Sequence, residues 1–231
     1  MFTSGILILS LFAFVLACGG LALICLLYRE LRRREQLKLE QRQQREAACL
    51  RVSAFLTAEF AHLQEAVNQF SQYINSGSAY FSNYKLAAWK SRYSGIYDEI
   101  RGQNLRKLNL GSEIAYAVST FESCFRDADS IRAEFNRTFI GGELERYREF
   151  FDKCIEDKSL DIQQRTAVVT DEDNNLVIAG AGTGKTTTML GKVYYVVNRY
   201  GVAPDEILLI SFTNKSASDL AKRIKIPGAI V

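Results

Sequence analysis

Lys185 and Thr186 close a glycine-rich turn within LVIAGAGTGKTTT, residues 176–188. These residue types at this spacing suit one chemistry, the holding of a phosphate chain. A triphosphate needs several backbone N–H donors converging on it, and bulky side chains would block their approach. Gly180, Gly182 and Gly184, with the small Ala179 and Ala181 and with Thr183, leave that approach open. Lys185 is placed to neutralise β and γ phosphates, and the Thr186 hydroxyl to ligate Mg²⁺. Thr187 follows within reach of the same ligand. Ala179 stands at the first position of the pattern G-x-x-x-x-G-K-[ST], a mild departure. The ligand expected is ATP with Mg²⁺, with Lys185 and Thr186 as the residues that act on it.

Such a turn works only between a buried strand and a helix, and the flanking sequence supplies both. Leu176, Val177 and Ile178 read as a short buried strand. After the turn, Met189, Leu190, Val193, Val196 and Val197 recur at helical spacing to about Arg199. That helix adds free N–H groups and the positive end of its dipole to the phosphate site. Upstream, residues 161–169 read as a short helix and DEDNN (171–175) as a turn. Downstream, GVAPD (201–205) turns the chain into a second apolar strand, 207–210. Strand–helix–strand alternation implies the start of an α/β domain with a parallel sheet.

The rest of the 231-residue chain reads as helix. Both prolines, Pro204 and Pro227, fall near the end, so little in the preceding 203 residues forces a helix to break. A hydrophobic content of 48% and a charged content of 24% are those of a folding chain. A net charge of +3 is too small to argue for a nucleic-acid partner by itself. Five cysteines (Cys18, Cys25, Cys49, Cys124, Cys154) show no metal spacing with the lone His62 and read as reduced, mostly buried thiols. Residues 5–27 carry no charge, and Arg29, Arg32, Arg33 and Arg34 follow at once. As a helix of roughly 34 Å this stretch would cross a hydrocarbon core of about 30 Å. The expectation is therefore a single-pass helix (domain 1–28) in the inner membrane, with the remainder cytoplasmic. A signal peptide or lipoprotein signal fits less well, since the basic leading region is absent.

Residues 29–158 form the expected helical accessory region. Leu56, Phe60, Leu63, Val67, Phe70 and Ile74 mark a seam of nearly three heptads. It serves packing within the chain, the favoured reading, or self-association through residues 56–74. The sequence NSGS (75–78) breaks that helix. Leu86, Trp89, Tyr93, Ile96 and Ile100 form an aromatic-rich core stripe. Ser112 is the expected N-cap of a third helix with Ile114, Val118, Phe121, Phe125, Ala128, Ile131 and Phe135. Gly141 and Gly142 are expected to separate it from a shorter segment.

Three segments in order resemble the UvrD/Rep-like superfamily 1 DNA helicases, the helicase IV type among them. LDIQQRTAVV (160–169) is similar to the Q motif, AGAGTGKT (179–186) to motif I and ISFTNKSA (210–217) to motif Ia. The resemblance implies that Gln164 reads the adenine edge, a role its amide donors and acceptor suit. It implies that Phe212, Thr213 and Asn214 touch single-stranded or partly duplex DNA, with Phe212 able to stack a base. Thr187 stands where family members often carry an arginine near the base. Residues 159–231 would then be the truncated beginning of a helicase ATPase domain. No D-E-x-[QD] motif follows Lys185, so nucleotide binding without turnover is expected of this chain alone. Two strands cannot cover a sheet on both faces, so apolar surface should stay exposed after residue 160. The competing expectation is a non-enzymatic, membrane-anchored helical scaffold with a vestigial nucleotide site.

Overall fold

A computed structural model describes residues 3–153 and 158–228, the side chains of residues 3–26 and of Arg106 lying outside the description. The chain is mostly helical. Helix α1 spans Thr3–Ala58, α2 Phe60–Asn75, α3 Asn83–Ile100 and α4 Ser112–Arg146. Four shorter helices follow: α5 Arg148–Lys153, α6 Ile162–Val169, α7 Lys185–Tyr200 and α8 Asn214–Arg223.

The seam read from the sequence is used inside the chain. Leu56, Leu63 and Phe70 are fully buried, and Val67 and Ile74 pack against the same core. Between α1 and α2 the helical hydrogen bonding carries on, with Glu59 N–H bonded to Phe55 O and Leu63 N–H to Glu59 O, both at 2.9 Å. Leu86, Trp89, Tyr93, Ile96 and Ile100 on α3 meet that seam, and Val118, Phe121 and Ala128 on α4 close the core. Trp89 is 1% exposed, and its indole N–H donates to Ala66 O at 3.0 Å, so burial leaves no polar atom unpaired. Buried Asn136 on α4 holds the α2–α3 connection. Its Oδ1 accepts from Phe81 N and its Nδ2 donates to Phe81 O, both at 2.9 Å.

Several expectations need correction. The single-pass inner-membrane placement does not stand, because no helix among the described residues is long and apolar enough to cross a membrane. From Arg29 onward α1 is dense in Arg, Glu and Gln, and its residues 27–48 are all exposed. The stretch 5–27 that prompted the reading lies, apart from Leu27, outside the described side chains. Cys18, Cys25 and Cys154 lie outside them too, while Cys49 and Cys124 are half-buried free thiols. Gly111, not Ser112, occupies the N-cap of α4. The pair Gly141–Gly142 does not end α4 either. Each glycine costs a helix roughly 1 kcal/mol, but Phe139 and Glu143, one on each side, are buried and hold the turn in place.

Neither expected strand forms a ladder among the described residues, whose only bridge assignments are isolated ones at Lys158 and Leu208. A strand needs a neighbour to take its backbone N–H and C=O groups. Residues 176–178 have none, and Leu176 and Ile178 are 85% and 88% exposed. Around them a second core does form. Phe151, Leu160, Val168, Val169, Leu190, Val193, Tyr195, Leu209 and Leu220 join α5, α6, α7 and α8.

Candidate nucleotide-binding site

The site grows from the start of α6. Asp161 caps that helix, its Oδ1 accepting from Gln164 N at 2.9 Å. Gln164 reciprocates, its Oε1 accepting from Asp161 N at 3.0 Å, which completes a capping box. The same amide reaches across to the glycine-rich turn, where Nε2 donates to Thr183 O at 2.9 Å. Gln164 thereby ties α6 to the loop.

Within the loop, Gly182 and Gly184 adopt φ of +78° and +89°, which side chains disfavour. Gly184 is constrained twice, since a Cβ there would lie 2.8 Å from Gln164 Nε2. Thr183 Oγ1 donates to Gly180 O at 2.8 Å and tightens the turn. Lys185, first residue of α7, folds back over the loop. Its ammonium donates to Ala179 O at 2.7 Å and to Gly180 O at 2.9 Å. Both acceptors are neutral carbonyls on an exposed surface, so an incoming anion can take the ammonium over. Ala181 is exposed at the tip of the turn, and Thr186 is half-buried at the head of α7.

Two clefts flank the loop. One, of about 420 Å³, lies between α6 and the extended residues 176–179 and includes Asp161, Gln163, Gln164 and Lys185. The other, of about 530 Å³, is lined by Gly180, Gly182, Gly184, Lys185, Thr186 and Thr187, with Lys158 and Arg223 at its margin. Open glycines, cations and the N-terminus of a 16-residue helix suit a polyphosphate. No cluster of three or more His, Cys, Asp or Glu able to hold a metal occurs among the described residues. Mg²⁺ would therefore depend on Thr186, phosphate oxygens and water, a donor set it accepts.

Thr187 presents little surface to the cleft it borders. It is 9% exposed, and its Oγ1 accepts from Arg223 Nη2 at 3.3 Å. Phe212, Thr213 and Asn214 line neither of these clefts and lie at the opposite end of α8 from Arg223. Phe212 is wholly exposed, and Thr213 caps α8 through Oγ1, which accepts from Ser216 N at 3.1 Å. Asn214 is the exposed first residue of that helix.

Reading the sequence missed what holds this unit to the helical bundle. Glu143, 3% exposed on α4, accepts from Tyr195 Oη at 2.7 Å and Arg199 Nε at 2.9 Å, both on α7. Arg146 donates to its other oxygen at 2.9 Å. Burial and the bond to Glu143 push the Tyr195 hydroxyl far above its ordinary pKa. The 171–175 turn is equally engaged. Glu172 accepts from Arg132 at 2.6 Å and from Tyr80 Oη at 3.1 Å, and its other oxygen caps α3 at Asn83 N. The D-x-x-Q spacing of Asp161 and Gln164 is the one local sequence signal, a capping-box pattern, that could have announced part of this bracing.

Comparison with known proteins bears on the same segment. The family described as UvrD/REP helicase N-terminal domain matches residues 160–227. DNA helicase IV of Escherichia coli is 30% identical over 146 residues, covering 59% of this chain and 21% of that protein. A probable DNA helicase of Mycoplasma pneumoniae is 46% identical over 65 residues, 28% of this chain and 12% of that protein. ATP-dependent DNA helicase Rep of Buchnera aphidicola is 38% identical over 73 residues, 30% of this chain and 11% of its own length. No solved structure matches. The segment from α6 through α8 is thus similar to helicases as a class. More narrowly, residues 160–227 resemble the N-terminal domain of UvrD/REP helicases, and the chain spans about a fifth or less of these relatives.

Proposed function

We propose that this chain is the ATP-binding N-terminal portion of a UvrD/Rep-type ATP-dependent DNA helicase. Residues 159–231 form the nucleotide unit and 29–158 a helical accessory region locked onto it. Gly180, Gly182 and Gly184, with Ala179, Ala181 and Thr183, cradle the phosphates. Lys185 neutralises them, Thr186 holds Mg²⁺, and Thr187 fixes the first turn of α7. The observation that carries this reading is the Lys185 ammonium, parked on two loop carbonyls above glycines of positive φ. It sits where a phosphate would replace those carbonyls with a stronger, charge-assisted partner.

Gln164 bears on the base through its place beside the α6 cleft. One lone pair of its Oε1 and one N–H of its Nε2 remain for adenine after the bonds to Asp161 and Thr183 are counted. Phe212, Thr213 and Asn214 are the surface for single-stranded DNA. A wholly exposed aromatic ring beside a capped helix N-terminus offers one stacking face and one phosphate contact. The test is equilibrium binding of labelled oligothymidylate to the full chain. Stacking on one aromatic ring is worth about 1–3 kcal/mol, so Phe212→Ala should weaken binding about fivefold or more while leaving ATP binding unchanged. Equal binding by Phe212→Ala and the unaltered chain would remove Phe212 from the DNA surface.

A further inference from the structure

Helix α8 is held at one end and open at the other. At its C-terminal end Leu220 is buried, and Arg223 donates to Thr187 Oγ1 at 3.3 Å. Just beyond, Lys225 N donates to Tyr194 Oη at 3.1 Å, which adds another tie to α7. The first residues of α8, from Asn214 to Ser216, are exposed, as is Phe212 before them. Ten helical residues set these ends roughly 15 Å apart. Arg223 also borders two clefts. One holds Lys185 and the glycines of the turn, and the other lies under α8 with Thr186, Ile210, Ser211 and Ser216.

We propose that Arg223 is a positioning residue that couples nucleotide at the loop to DNA at the far end of α8. The inference rests on the reading of residues 179–187 as the nucleotide site and of 212–214 as the DNA surface. Nucleotide with Mg²⁺ engages Lys185 and Thr186, the two residues just before Thr187 on the first turn of α7. Any shift of that turn moves the Thr187 hydroxyl, and the guanidinium passes the shift to the end of a short, lightly buried helix. A planar guanidinium with five donors can keep Thr187 while meeting other partners, which an ammonium cannot do in the same geometry. The coupling is reciprocal, so DNA at Phe212 must favour nucleotide by the same factor.

The experiment measures oligothymidylate affinity of the full chain with and without Mg²⁺ and a non-hydrolysable ATP analogue. The readout is the ratio of the two affinities, with the analogue raised to saturation for each variant, so that an effect on either ligand alone cancels. The unaltered chain should show a ratio of about five or more. Arg223→Gln should bring the ratio to about one, and Arg223→Lys should restore only part of it. Hydrogen exchange of the unaltered chain gives a second measure: nucleotide alone should change the exchange of residues 214–223. An unchanged ratio in Arg223→Gln, a ratio of one in the unaltered chain, or no exchange response overturns the coupling. Failure of the unaltered chain to bind nucleotide at all overturns the site itself, a separate and recognisable result.

Discussion

At the scale of single residues, the loop is shaped by one side chain and one missing side chain. Gln164 spends an N–H on Thr183 O and sits so close to Gly184 that a Cβ there would push its amide aside. Gly184→Ala would meet both obstacles, a φ of +89° and a contact at 2.8 Å. It should destabilise the chain by about 1–3 kcal/mol, read as a lower urea midpoint, and weaken nucleotide binding by displacing Gln164. The resemblance to the helicases implies a place for Gln164 at the base, and the structure shows it as a strut between α6 and the loop. Thr187 likewise resolves into a buried acceptor for Arg223. Nothing in a single sequence distinguishes a glutamine that reads a ligand from one that braces a loop, because both need the same amide.

At the scale of elements, α4 and α7 are joined by one carboxylate. Glu143 is 3% exposed and Arg199 16%, so their pairing is shielded from water. Removing one partner of a buried pair leaves the other charge without compensation. Glu143→Ala should cost about 3–5 kcal/mol in urea unfolding, and Glu143→Gln less, since an amide oxygen still accepts from Tyr195 or Arg199. Leu63→Ala, which empties a fully buried seam position, should cost about 2–5 kcal/mol. The helices of this region were legible because apolar spacing from Leu56 to Ile74 and from Leu86 to Ile100 repeats at helical period. The run through Gly141 and Gly142 was not legible. Local propensity argues for a break there, and only the tertiary burial of Phe139 and Glu143 overrides it. The apolar runs 176–178 and 207–210 were read as buried strands of a parallel sheet, and neither is paired in one among the described residues, since pairing depends on a neighbour that local sequence does not encode.

At the scale of the whole molecule, two hydrophobic cores meet across a polar seam. Acidic residues of the 171–175 turn grip the bundle: Glu172 holds Arg132, Tyr80 and α3, while Asp173 accepts from Tyr84 N at 2.8 Å. Burial first, then the bond to Glu172, pushes the Tyr80 hydroxyl up from its ordinary 10.0 to about 12. A raised pKa means the folded chain holds that proton more tightly than the unfolded one. The stabilisation is therefore complete below pH 10.0 and is lost as pH rises towards 12. Alkaline denaturation followed by circular dichroism should show stability falling across that window, with a shallower fall in Tyr80→Phe. Nothing local announces this seam beyond a run of acids, 171–173, that reads as a turn.

The most direct measurement is a calorimetric titration of the full chain with ATP and Mg²⁺, set beside Lys185→Ala. One saturable site in the unaltered chain, weakened about tenfold or more in Lys185→Ala by loss of a charge-assisted bond worth about 1.5–3 kcal/mol, is the predicted result. No binding by the unaltered chain, or equal binding by Lys185→Ala, would contradict the assignment of the loop.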